Sequence, residues 1–259
     1  MKKPLNTKAW GRALTPFLLI LLVWIILPMT TMHNPVILPD LGRIGSYLVH
    51  SFAQEVFWLD IAYSMGRVWA AFVLSACIAL PLGLWASFSP AVSRFAEPFS
   101  EFVRYLPVPA FVPLFIMWFG LNDSFMVATI MMGTVFQLLL MIADIGRDIN
   151  KEYYHAALTL GASRWQLFTK ILWPATQPQV INACRIAIGW AWTYLIVAEI
   201  ANAGGRAYGL GFRILEAQRL AQTYKIFAGI IVIGAIGILT DQAFRYYYRK
   251  QFRWIQLTA

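Results

Sequence analysis

Residues 61–88 read IAYSMGRVWAAFVLSACIALPLGLWASF, and Arg67 is the one side chain among them that carries a charge. As an α-helix this run extends about 42 Å, more than the roughly 30 Å hydrocarbon core of a bilayer. A soluble helix of that length keeps a polar face toward water. Here almost every turn is apolar all round, so the surroundings must be as apolar as the interior. The stretch predicts a membrane-spanning helix, in which every backbone group is satisfied within its own segment.

The same pattern repeats on both sides. Further apolar runs occupy residues 13–28, 102–120, 124–143, 186–203 and 226–240. Together they predict an all-α integral membrane protein of six helices, one transmembrane domain over residues 1–259. The first run follows Lys2, Lys3, Lys8 and Arg12, which is also how a signal peptide begins. No small-x-small cleavage site follows Pro28, so we read a retained span. The run at 102–120 holds Pro107, Pro109 and Pro113. Prolines remove backbone donors, which hydrocarbon tolerates only where other groups take up the freed carbonyls. Such a broken helix either lines a cavity or is kinked for packing.

Composition agrees with residence in a bilayer. The chain of 259 residues is 59% hydrophobic and 13% charged, against about 25% charged for a soluble domain. The net charge of +9 is not gathered on one soluble face, as nucleic-acid binding would require. It lies in short clusters between apolar runs, which suits loops at an anionic lipid surface. With six spans, 14 Lys and Arg fall on the side of the two termini and five on the other. The positive-inside rule then places both termini in the cytoplasm. Arg94 and Arg104 count on that side, in the second loop. Cys77 and Cys184 lie within apolar runs, and His33, His50 and His155 have no ligand spacing, so neither a disulfide framework nor a metal site is predicted.

The loop between the fourth and fifth spans has structure of its own. Residues 152–160 predict a short helix that Gly161 breaks. Ser163 stands three residues before Gln166, the spacing of a capping box that starts a second helix. That helix runs through Trp165, Leu167, Phe168, Ile171 and Leu172, and Trp173-Pro174 is expected to end it. An amphipathic element of this kind docks into a groove on a partner or lies on lipid headgroups, and the pattern leaves both open.

The segment His155-Ala156-Ala157, three residues, Gly161, nine residues, Ile171, one residue, Trp173-Pro174 resembles the EAA loop of permeases of binding-protein-dependent ABC importers. The family pattern has Glu where His155 stands and Leu where Trp173 stands; the other positions match. The chain from about residue 60 onward is similar to the nitrate, sulfonate, taurine and bicarbonate subgroup. The likeness lies in Leu106-Pro107-Val108-Pro109 through Trp118-Phe119-Gly120, Leu160-Gly161-Ala162-Ser163, Val197-Ala198-Glu199, Gly209-Leu210-Gly211 and Phe227-Ala228-Gly229-Ile230. The resemblance implies a type I importer transmembrane domain in a bacterial inner membrane. Its loop would form coupling helices that seat on a separate ATPase, through His155, Ala156, Ala157, Gly161, Ser163, Ile171 and Pro174. It also implies a second permease copy, an ATPase dimer carrying ATP and Mg, and a substrate-binding protein outside. No cofactor is expected on this chain, which contains no G-x-x-x-x-G-K-[ST] phosphate loop.

Ionisable groups at depth are costly and mark pathways or structural pairs. The pathway candidates are Glu199, Asn202, Arg206 and Arg213, together with Pro107 and Pro109 at the broken span. Arg67 and Arg185 are further intramembrane charges, and Arg67 has Asp60 or a carbonyl as a candidate partner. Arg206, Arg213, Arg219 and Lys225 form a basic loop that suits either an anion vestibule or docking of the binding protein. A secondary transporter would need paired acids or unwound helices repeated in two halves, and no internal repeat is found. A membrane scaffold would not need the loop spacing.

Overall fold

The structure, a computed structural model, describes residues 15, 19, 22–26, 37–149, 151–202 and 208–252. The side chains of Lys151, Tyr153, Tyr154, His155 and Arg164 lie outside the described set, and so does Arg206. Of the first expected span, Thr15, Leu19 and residues 22–26 are described, and all are helical.

The described chain is nearly all helix. In order come α1 (Leu41–Phe52), α2 (Glu55–Phe88), α3 (Pro90–Arg104), a 3-10 turn (Val108–Phe111) and α4 (Val112–Phe119). They are followed by α5 (Asp123–Arg147), α6 (Lys151–Thr159), α7 (Arg164–Leu167), a π-helical turn (Phe168–Leu172), α8 (Trp173–Ala201), α9 (Leu210–Arg219) and α10 (Thr223–Gln251). Contacts gather the chain into two compact units, Met1–Trp58 with Arg213–Ile231 and Leu59–Phe212 with Val232–Ala259.

Among the described residues four stretches are long and apolar enough to cross a membrane: α2, α5, Trp165–Ala201 and α10. The expected third span is not one helix. α3 and the segment Val108–Phe119 meet at 95°. Pro107 is extended (ψ 114°) and stands as the N-cap of the 3-10 turn. The stretch assigned to the second loop is thus α3 itself, which makes Arg104 the last residue of a helix rather than a loop cation.

The second unit is built on the pairing of α5 with α8. Ala183, Ala187 and Ala191 recur every four residues on α8, all buried, with Leu195 and Ala198 continuing the stripe. Small side chains let helix backbones approach closely where lipid supplies no hydrophobic drive of its own. Ser75 of α2 shares a hydrogen bond with Thr134 of α5 (2.7 Å), both fully buried, so even the polar groups at this depth are matched.

The first unit is rich in aromatic rings. Trp24 packs edge-on to Phe227 (4.6 Å between centroids) and donates its indole N–H to the Pro39 carbonyl (3.1 Å). Tyr47 meets Tyr224, with Arg43 and Lys225 over their rings. In this unit α9 closes on the carbonyls of Ala217 and Gln218, which accept from Gln222 and Ala221. Ala221 takes φ +51° to do so, where glycine is the usual residue. Ala221→Gly is expected to raise stability by about 1 kcal/mol, read as a higher melting temperature of the detergent-purified protein.

Candidate functional site

Three features of the second unit bear on function: a buried ionic cluster, the loop from α6 to α8, and a cavity beside the broken span.

The cluster forms where α2, α5 and α8 meet the chain that leads into α9. Glu199, two residues before the end of α8, is 0% exposed, and Arg67 on α2 is 4% exposed. An Arg67 Nη1 donates to Glu199 Oε1 (2.6 Å) and to the Tyr208 carbonyl (2.7 Å), and Nε donates to Asp123 Oδ1 (2.7 Å). Ser64 Oγ donates to Glu199 Oε1 (2.8 Å). The backbone N–H groups of three successive residues are then each taken by a different side chain. Gly209 N donates to Asp60 Oδ1 (2.8 Å), Leu210 N to Ser64 Oγ (2.9 Å) and Gly211 N to Glu199 Oε2 (2.7 Å). The free amides that open α9 are thereby satisfied, and two carboxylates lie at the positive end of that helix.

Sequence spacing pointed to Arg67 and Glu199 separately, as isolated charges. The structure makes them a pair and brings in Asp60, already offered to Arg67 by the sequence, together with Ser64 and Asp123, which sequence reasoning did not connect. Of the two partners suggested for Arg67, the carbonyl is met at Tyr208, while its carboxylate partners are Glu199 and Asp123 and Asp60 accepts from Gly209 N. The signal that was available is spacing: Asp60, Ser64 and Arg67 recur at three to four residues, on one face of α2. Asp241 is bonded to Arg185 (3.2 Å) and to Arg245 (2.6 Å). Asn202 is also buried. Arg213, in the first unit, has its guanidinium over the Phe57 ring at 5.2 Å.

The loop follows the expected plan up to its last step. α6 ends in a Schellman motif: Ala162 N donates to the Ala157 carbonyl (3.0 Å) and Gly161 N to that of Leu158 (3.0 Å), with Gly161 at φ +76°. The capping box is formed in both directions. Ser163 N donates to Gln166 Oε1 (2.9 Å) and Gln166 N to Ser163 Oγ (3.3 Å). Ala157 and Leu167 are buried and hold the element together, while Leu160 is 88% and Trp165 71% exposed. Phe168 packs against Phe88, the last residue of α2 (6.0 Å).

Trp173-Pro174 does not end the second helix. The chain stays helical from Arg164 to Ala201 through the π turn, in which Trp173 N donates to the Phe168 carbonyl five residues back. The wider turn shifts the hydrogen-bond register where Pro174 has no N–H to give. Thr176, one turn on, donates its hydroxyl to the carbonyls of Leu172 (2.8 Å) and Trp173 (3.1 Å). The proline is thus absorbed, and the loop is mechanically one piece with the spanning helix.

The third feature is a cavity of about 200 Å³ beside the break at Pro107 and Pro109, where Arg104 and Val108 face Gly133 and Gln137 of α5 and Tyr194 of α8. An open groove of about 410 Å³ lies along α2 and α5, with Arg67 and Asp123 in its wall. Among the described residues no group of three His, Cys, Asp or Glu is arranged to hold a metal ion.

Known proteins resemble this chain over most of its length. Residues 79–253 match the family described as binding-protein-dependent transport system inner membrane component. A putative ABC transporter permease of Methanocaldococcus jannaschii is 30% identical over 255 residues, covering 96% of this chain and 94% of the relative. A putative aliphatic sulfonates transport permease of Bacillus subtilis is 28% identical over 254 residues, 98% and 91% of the two chains. The taurine transport system permease of Escherichia coli is 28% identical over 241 residues, 91% and 86%. Among solved structures, a chain of a bacterial ABC transporter that imports the acidic polysaccharide alginate superposes with TM-score 0.59 at 16% identity, over 95% of this chain and 99% of that one. The chain belongs to the family of inner membrane components of binding-protein-dependent transport systems, the permease subunits of ABC importers.

Proposed function

We propose that this permease imports a small oxyanion or organic anion of the nitrate, bicarbonate, sulfonate or taurine type, as one of two identical copies that share a translocation pathway. ATP and Mg belong to a separate pair of ATPase subunits. A substrate-binding protein delivers the anion on the far side, and both termini of the permease face the cytoplasm. The reading of the substrate draws on relatives named for sulfonates and taurine.

The single observation that carries the coupling to an ATPase is the loop. Leu160 and Trp165 are apolar side chains turned outward at the tip of a helix-Gly-helix element, and an exposed apolar patch on a rigid element is a docking surface. His155, Ala156, Ala157, Gly161, Ser163, Ile171 and Pro174 form its frame. Because α7, the π turn and α8 are continuous, a displacement imposed on that tip reaches the spanning helix directly. Alternating access follows when two such elements are drawn together and released. Of the pathway candidates, Glu199 and Asn202 act from inside the protein by fixing the end of α8, and Pro107 and Pro109 shape the wall of the cavity. Arg206 and Arg213 furnish positive charge on the substrate-entry side.

The test is transport by the purified assembly. Captured from its own membranes, the permease should carry an ATPase with it. Proteoliposomes of the complex should take up labelled nitrate, bicarbonate or taurine only with ATP and the binding protein. Uptake driven by an ion gradient in ATP-free vesicles would overturn the assignment in favour of a secondary transporter.

A further inference from the structure

The cavity beside the broken span lies between α3, α5 and α8. α3 runs antiparallel to α5. Glu97, in its first half, holds Arg147 at the end of α5 (2.8 Å), and Arg104, seven residues on, faces Gly133 and Gln137. α5 has 25 residues from Asp123 to Arg147, and Gly133 stands near its midpoint. The break that ends α3 thus leaves a guanidinium about halfway along a membrane-spanning helix.

The groups around this space are of one chemical kind. Arg104 stacks over the Tyr105 ring (4.9 Å) and donates one hydrogen bond to its hydroxyl (3.1 Å), and no carboxylate pairs with it among the described residues. The contrast with Arg67, gripped by two carboxylates, is direct. Gln137, Trp190 and Tyr194 also line the cavity. Each can donate, and the guanidinium can only donate. Arg104 is exposed and Gln137, Trp190 and Tyr194 are half-buried, so all four are open to a species that only accepts, and one such species can meet them at once. No Asp or Glu lines the cavity, so nothing there favours a cation. Its volume of about 200 Å³ is below the roughly 300–1,000 Å³ of sites for drug-sized ligands and suits a small ion.

We propose that this cavity is an oxyanion site within the permease itself, where Arg104 supplies the charge and Gln137, Trp190 and Tyr194 supply neutral donors. Gly133 positions it: a Cβ there would lie 2.3 Å from the Tyr194 ring, so that only glycine lets the phenol lie flat against α5. Irregular backbone at membrane depth is expected where it lines such a cavity. The proposal rests on the reading that the cargo is an anion and adds where, inside this chain, the anion halts. A resting site must also release its ion, and one unpaired arginine with neutral donors holds it more loosely than paired cations would.

The experiment uses the complete transporter in proteoliposomes, with Cys77 and Cys184 replaced by Ala and Gln137→Cys introduced. Its reaction with an anionic methanethiosulfonate, the sulfonatoethyl reagent, is compared with that of the cationic trimethylammonioethyl reagent, each relative to a free thiol. The anionic reagent should be favoured about tenfold or more, and Arg104→Gln should abolish the preference while Arg104→Lys retains it. Sodium nitrate or taurine should slow the anionic reagent in the protein that keeps Arg104, and sucrose should not. This second arm needs no arginine variant to fold. Modification blind to charge, a preference that survives Arg104→Gln, or absence of protection by either anion would each overturn the site. Uptake by the unmodified transporter separates the two levels. Anion uptake with charge-blind modification sinks this site alone, whereas an importer that carries only neutral or cationic solutes sinks the anion reading.

Discussion

Arg67→Met is expected to lower stability by about 3–5 kcal/mol, the usual cost of leaving one partner of a buried ion pair uncompensated. Glu199 would remain at 0% exposure with only Ser64 and the Gly211 amide to hold its charge. Asp123 loses less, since its side chain is 57% exposed and water can replace the guanidinium. The protein should be recovered from membranes at much reduced yield and melt well below the parent. Adding Glu199→Gln to Arg67→Met should restore part of the loss, because the amide still accepts from Gly211 without a buried charge. The double-mutant cycle reads the coupling directly. A transport residue behaves in the opposite way: if Arg67→Met melts like the parent and only uptake falls, the cluster is part of the pathway and not a structural clamp.

Gly161→Val should disconnect ATP hydrolysis from uptake while leaving the protein assembled. No atom lies within 4 Å of a Cβ built at this position, so the substitution meets no steric wall. What it meets is φ +76°, a left-handed conformation that costs an L-residue about 1–2 kcal/mol, with branched residues at the unfavourable end. About 1.4 kcal/mol is a tenfold change in population. The Schellman turn between α6 and α7 should therefore open in most molecules, and the exposed Leu160 and Trp165 would no longer present one fixed surface. Uptake should drop about tenfold, and hydrolysis should lose its stimulation by the loaded binding protein. Gly161→Asn, which tolerates the left-handed region, should retain most transport. Equal activity of the valine and asparagine variants would show that the angle between the two helices does not transmit the stroke.

The sequence carried the helices well and their joints poorly, for a physical reason. The run at 61–88 announces α2 because hydrophobicity sums over many residues, and the capping box at Ser163 and Gln166 is local chemistry that needs no tertiary context. Both are present in the fold. The end assigned at Trp173-Pro174 failed because a π turn can absorb a proline, and whether it does depends on Thr176 and on packing elsewhere. The site suffered more. Arg67 and Glu199 are 132 positions apart, and nothing in either neighbourhood names the other. Arg104 was counted as a loop cation with Arg94, because nothing apolar enough to announce a helix directly precedes the broken span. In the fold the chain is already helical from Pro90, and Arg104 is the exposed last residue of that helix, three positions before Pro107.

The clamp at Glu199 also sets how motion is geared. From Arg164 to Glu199 the unbroken helical path is about 52 Å, while Tyr194 lies only about 7.5 Å from the clamp. With the Glu199 end pinned to α2, a swing of the path about the ion pair would scale with distance from it. A displacement of about 7 Å at the loop then becomes about 1 Å at the Tyr194 phenol. A large stroke at the driven end is stepped down to an adjustment on the scale of a hydrogen bond, enough to break contact with a small ion without tearing the cavity open.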